Sequence, residues 1–179
     1  LSSPPDLATF SSADVTITGP QAIALQEPVL VGRSTFRFTM SPAPATDGVY
    51  NVSLGPNITG RSGYLFDQDR DATGGEVIDD VFRGTFTIDN TGPRITAATP
   101  TGVQTGAVDH VDVTFSEPIR AGSFTPADVS VTGPGGPVQV LSVSQLAADR
   151  FRIGFAPQAI NGSYTFVIGP NVADAAGNL

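Results

Sequence analysis

Residues 67–80, DQDRDATGGEVIDD, carry six carboxylates in fourteen positions: Asp67, Asp69, Asp71, Glu76, Asp79 and Asp80. Arg70 is the only cation among them, which leaves a local charge of −5 (six acids less one base). Like charges about 6 Å apart repel by roughly 0.7 kcal/mol per pair even in water, and folding gathers them closer. A divalent cation would turn that repulsion into attraction. Calcium takes about six to eight oxygen ligands from carboxylates, backbone carbonyls and water. Asp67, Asp69 and Asp71 alternate, so their side chains can converge on one side of a looping segment. Gly74 and Gly75 let the chain turn back, and Glu76 with Asp79 or Asp80 can close the shell. The segment is not an EF-hand, because Ala72 stands at its sixth position and Ile78 at its twelfth, where that loop needs Gly and Glu. The spacing is closer to the Asp-x-Asp-x-Asp calcium loops of secreted repeat proteins. Structural calcium is therefore the expectation; a solvated acidic loop and a catalytic carboxylate pair are its alternatives.

Other residues offer less chemistry. His110 is the only His and sits between Asp109 and Asp112 in an alternating strand pattern, which predicts a solvent-facing residue rather than a general base. Gly60-Arg61-Ser62-Gly63 lacks the Gly-x-Ser-x-Gly spacing of a nucleophile elbow. With no Cys, thiolate metal sites and thiol nucleophiles are excluded. The residues thus point away from an enzyme. Glu117 is a strand-end acid that would join a second cation site only if folding brings it to Asp128 or Asp174. Asp89 and Asn90 are either turn formers or oxygen donors for a calcium ion between modules. Asn51, Asn57 and Asn161 lie in Asn-x-Ser/Thr triplets, which arise often by chance.

The elements that must position these residues are strands. Twenty Gly and 15 Pro, with Val, Ile, Thr and Phe as the ordered majority, favour short strands and tight turns. Apolar–polar alternation marks strands at 14–19, 34–40, 49–54 and 82–88, then at 110–115, 128–133, 138–143, 150–155 and 163–168. No window has helical period. The chain is predicted to be all-β and built of antiparallel sandwiches. A net charge of −8 without a basic stripe argues against nucleic acid as a partner. The apolar runs fall far short of the roughly 20 residues that span a bilayer, so membrane insertion is not expected.

Residues 1–20 align without gaps on 115–134 at an offset of 114, with identities that include Ser2, Pro4, Phe10, Asp14, Val15 and Gly19. The same offset lays GVYNVSLGPNI (48–58) over GSYTFVIGPNV (162–172). The chain holds little more than one and a half repeats of this period. Two modules are predicted, 1–91 without its opening strands and 92–179 without its closing strand, joined by a short stiff linker at 88–95. The second module should then expose an edge where the equivalent of FRGTFTI would pair. Tyr50 and Tyr164 occupy equivalent positions, which suggests a shared packing role akin to a tyrosine corner.

VTFSEPI (113–119), FTPADVSVTGP (124–134), YTFVIGPNVADAAGN (164–178) and TIDNTGPRI (87–95) resemble the bacterial Ig-like repeats strung in tandem in large surface and S-layer-associated proteins. The resemblance implies two tandem Ig-like antiparallel β-sandwich modules that act outside the cell as non-catalytic spacers or adhesive arms, with neighbouring modules of the same protein as partners. In that family the Asp-x-x-Gly-Asn turn often runs on into an acidic segment; here the first copy has Gly60 and Tyr64 where the second has Asp174 and Asn178. The rival expectation is a carbohydrate-binding or adhesive module of a larger secreted protein. With no Trp and three Tyr, only Tyr64, beside the acidic segment, is free to be a sugar platform.

Overall fold

A computed structural model describes residues 5, 6 and 8–179. Ser2 and Pro4, at the head of the repeat match, lie outside the described residues. The chain forms two compact units, residues 1–89 and 90–179, and no α-helix occurs among the described residues.

In the first unit, β1 (Val15–Thr18), β6 (Gly48–Leu54) and β7 (Phe82–Ile88) make one antiparallel sheet in the order β1-β6-β7. Four two-residue strands, β2 (Ala24–Leu25), β3 (Val29–Leu30), β4 (Phe36–Arg37) and β5 (Met40–Ser41), pair as β2 with β5 and β3 with β4. Alternation predicts one strand over 34–40, but the structure breaks it at Phe38 and Thr39. The cause lies on the facing arm, where Pro28 has no N–H to donate and the pairing slips by one residue between Leu25↔Met40 and Val29↔Arg37. Phe10 anchors this side of the unit, packing edge-on against Phe36 and Phe38 at centroid distances of 4.9 and 5.6 Å.

The second unit is a two-layer sandwich. One sheet runs β11-β10-β14, from β10 (Val129–Gly133), β11 (Gly136–Val138) and β14 (Thr165–Ile168). The other runs β12-β13-β9-β8, from β8 (Ile95–Thr99), β9 (Val108–Phe115), β12 (Val140–Ala147) and β13 (Arg150–Gln158). The predicted strand at 138–143 is in fact two, divided at Gln139. Val138 pairs with Val131 in the first sheet and Val140 with Phe155 in the second, so the chain changes layers there. Inward residues alternate as the pleat requires: Val111, Val113 and Phe115 from β9, and Phe151, Ile153 and Phe155 from β13, are all buried. Phe115, Phe124 and Phe151 form an edge-to-face trio with centroids 5.4–5.9 Å apart. Each buried ring contributes on the order of 1.5–3 kcal/mol through the area removed from water.

The 114-residue equivalence is structural as well as sequential. The Tyr50 hydroxyl donates to the Thr46 carbonyl at 2.9 Å, and the Tyr164 hydroxyl to the Ile160 carbonyl at 3.1 Å. Both are tyrosine corners, as their equivalent positions suggest. The turns that open β1 and β10 also match, since Asp14 accepts from the Ser11 amide and Asp128 from the Thr125 amide, both at 2.8 Å.

Candidate metal centre

The acidic segment lies in the connection between β6 and β7, adjacent strands of one sheet. Its stem is a small hairpin of its own. Ile58, buried, accepts through its carbonyl from the Phe66 amide at 2.7 Å, Thr59 bridges Leu65, and Gly60 donates to the Tyr64 carbonyl at 2.8 Å. Beyond Phe66 the chain winds through its own carboxylates. Asp67 accepts from the amides of Arg70 and Ala72, Asp69 from Asp71, and Asp71 from Thr73. Arg70 and Ala72 hold left-handed φ of 68° and 76°, a conformation costly for residues with a Cβ and kept only where the surroundings enforce it. The return passes over Leu65: a Cβ on Gly74 would lie 2.8 Å from the Leu65 carbonyl oxygen, and one on Gly75, with φ +89°, 2.6 Å from Leu65 Cδ1. Gly74 is thus required by space and Gly75 by its backbone angle.

This path brings five of the six predicted residues into two groups that share Asp69. One carboxylate oxygen each from Asp67, Asp69 and Asp71 lie within 4.8 Å of one another, as do oxygens from Asp69, Glu76 and Asp79. Oxygens bound about 2.4 Å from one calcium ion can be no farther apart than roughly 4.8 Å, so each group is compact enough to hold an ion. Although Asp69 is exposed, partial desolvation in the crowded loop, with Asp71, Asp80 and Asp67 nearby, pushes its carboxyl above the usual carboxylate range, against the pull of its hydrogen bond from Asp71. Burial and the charges of Asp71, Asp80, Asp69 and Asp79 push Glu76 up as well. Glu76 Oε2 is buried and has no hydrogen-bond partner.

Asp80 stands apart from both groups. It is wholly buried and accepts from the amides of Gln68 and Glu76, one on each arm of the segment. The Glu76 hydrogen bond is the main cause that holds its carboxyl below the usual range, although burial alone would raise it. Asp80 therefore stays charged and ties the loop together. Nothing in the sequence distinguished it from Asp79, since the difference lies in which of two neighbours turns inward at the start of β7.

The remaining predicted residues are placed as follows. Folding brings Glu117 and Asp174 within 4.8 Å of each other, while Asp128 is taken up in the turn with Thr125. Asp174 is almost wholly buried and accepts from the Gly177 and Asn178 amides and the Asn178 side chain. His110 is partly exposed on β9 with Nδ1 against Asp109. Tyr64 is 79% exposed at the turn that precedes the acidic segment. No helix among the described residues is long and apolar enough to cross a membrane.

Two antiparallel sheets packed face to face, with a tyrosine corner at the start of β14, define an Ig-like β-sandwich. Residues 89–179, just over half the chain, match the bacterial Ig-like domain family, and the chain belongs to that family. No curated protein matches the chain.

Proposed function

We propose that this chain is a non-catalytic spacer segment of a bacterial surface or adhesin-like repeat protein, working outside the cell in series with further Ig-like modules, and that calcium stabilises its first unit. Asp67, Asp69, Asp71, Glu76 and Asp79 supply ligands, and Asp80 orders the loop behind them. The observation that carries this is the Glu76 carboxylate oxygen, buried without a partner in a cluster of like charge. A solvated loop would leave that oxygen to water, whereas a cation accounts for both its burial and the crowding. An extracellular setting suits such a site, because modules outside the cell meet calcium at concentrations that weak, loop-built sites can use.

Calorimetric titration of the full chain with calcium, and thermal melts in calcium and in chelator, test the proposal. At a free concentration one hundred times the dissociation constant, binding adds about 2.7 kcal/mol to the unit that holds the ion, so one transition should rise by several degrees. Identical melts would leave the solvated loop. The glycan-binding alternative rests on the exposed ring of Tyr64, and a glycan array separates it from a spacer, which binds no sugar specifically.

A further inference from the structure

The tyrosine corners of the two units make the same demand on the backbone. Gly48 has φ +135°, and a Cβ on it would lie 2.6 Å from Pro20 Cγ; Gly162 has φ +150°, and its Cβ would lie 2.3 Å from Pro134 Cγ. Both angles fall where side chains are disfavoured and both spaces are taken by a proline ring, so each corner accepts only glycine. The tyrosine hydroxyl bridges over that glycine, from Tyr50 to the Thr46 carbonyl and from Tyr164 to the Ile160 carbonyl.

What precedes the glycine differs: Asp47 in the first unit, Asn161 in the second. An asparagine followed by glycine cyclises readily, because no side chain on the next residue shields the backbone nitrogen. Asn51, Asn57, Asn90, Asn171 and Asn178 precede Val, Ile, Thr, Val and Leu. Asn161 and Gly162 are exposed in the bend between β13 and β14. Among the described residues neither the Asn161 carboxamide nor the Gly162 amide is held by a hydrogen bond.

We infer that Asn161 is a site of spontaneous modification, converted through a cyclic imide to aspartate and isoaspartate, and that the isoaspartyl form opens the Tyr164 corner. Solvent hydroxide removes the Gly162 amide proton, and the nitrogen lone pair attacks Asn161 Cγ. The new C–N bond closes a succinimide ring as the Cγ–Nδ2 bond breaks, and Nδ2 takes a proton from water and leaves as ammonia. Water then opens the ring. Addition at Cγ gives aspartate on an unchanged main chain, whereas addition at the main-chain carbonyl routes the chain through the side chain and adds Cβ to the backbone. The net change is an amide and a water for a carboxylate and an ammonium ion, with no oxidation or reduction.

The fold separates the two products. Aspartate already stands at the equivalent position of the first unit, so the direct product keeps the corner. In the isoaspartyl product the added backbone atom lies between the Ile160 carbonyl and the Tyr164 hydroxyl, which meet at 3.1 Å, and the hydrogen bond that closes the corner is lost. Tyr164 also lines an open cavity of about 1090 Å³ between the two sheets, so packing on that side does not replace the bond.

The test incubates the full chain for days in neutral to mildly alkaline buffer, folded and in urea, then maps it by peptide mass spectrometry and assays it with a protein isoaspartyl methyltransferase. The peptide that holds Asn161 should gain the mass of an amide-to-acid exchange at similar rates in both states, while those that hold Asn51, Asn57 and Asn171 stay unchanged. Methyl labelling should be confined to the same peptide, and Asn161→Gln should abolish both signals. Ageing should lower the melting temperature of the second unit, whereas freshly made Asn161→Asp should melt as the fresh parent does. An unmodified Asn161, reaction in urea alone, or an aged chain that melts like fresh Asn161→Asp would each overturn the inference.

Discussion

Gly19 lies against the face of Tyr50 so closely that a Cβ built on it would be 2.3 Å from Tyr50 Cδ1; Gly133 repeats this beneath Tyr164, at 2.4 Å from Cε1. The two pairs differ in what holds the ring. Tyr50 is clamped between Gly19 and Phe86, whereas Tyr164 has the open cavity beside it. Gly19→Ala should therefore overpack its site and cost about 1–3 kcal/mol, while Gly133→Ala should cost distinctly less because the ring can move aside. Urea denaturation of both variants checks this, and equal losses would mean that Tyr164 is as tightly held as Tyr50.

Asp69→Asn and Asp80→Asn should have opposite effects in chelator. Asp69 is disfavoured as an anion by partial desolvation in the crowded loop and by its acidic neighbours, so the neutral amide should raise the melting temperature of the first unit slightly and abolish its response to calcium. Asp80 is favoured as an anion by the amides it collects, so its replacement should lower the melting temperature with or without the ion. Melts of the two variants side by side would expose a shared sign, which the assignment of their roles does not allow.

Acid should weaken the second unit through Asp174. Burial works to raise its carboxyl, but the hydrogen bonds from Asn178, Gly177 and Ala176 outweigh it and leave the group below the ordinary range. A depressed folded value means that the unfolded chain binds the proton more readily, so this stabilisation is present above the ordinary carboxylate range and is lost as pH falls through the depressed value. Asp174→Asn should reduce stability at neutral pH, since an amide nitrogen would face the Asn178 side-chain donor, and should flatten the acid limb. Denaturant midpoints followed from neutral to strongly acidic pH give the comparison.

Neighbours on β13 should differ sharply. Arg152 reaches Asp112 across the strands with contacts of 2.7 and 2.9 Å, but Arg152 is exposed and Asp112 partly so, and Arg152→Ala should cost under about 1 kcal/mol. Ile153 on the other face is completely buried, and Ile153→Ala should cost about 2–5 kcal/mol. Equilibrium unfolding of the pair measures which face of the strand carries the stability.

Much of the fold was legible because strand alternation and the 114-residue repeat are properties of local order. The 82–88 strand and the corner at Tyr50 and Tyr164 follow from residues close in sequence. The interruption at Phe38 was not legible, because its cause is Pro28 on the opposite arm. The change of layer at Gln139 was hidden for a similar reason, since alternation continues through it while the pairing partners switch. In the acidic segment, the spacing of Asp67, Asp69 and Asp71 gave their convergence, but not the inward turn of Asp80, nor Leu65 as the floor beneath Gly74 and Gly75. Ala72 weighed against an EF-hand as a non-glycine, yet it adopts the left-handed angle that glycine would supply.

The acidic segment leaves the sheet at Leu54 and rejoins it at Phe82, directly opposite in the β6–β7 register. Its ends are therefore fixed by the ladder, whatever the residues between them do. As a polymer tether anchored at both feet, such an excursion gains only about 0.6 kcal/mol of closure penalty each time its length doubles. The span between the buried Ile58 and Asp80 can thus change in length at little cost to strand pairing, while those two residues tie its ends to the unit.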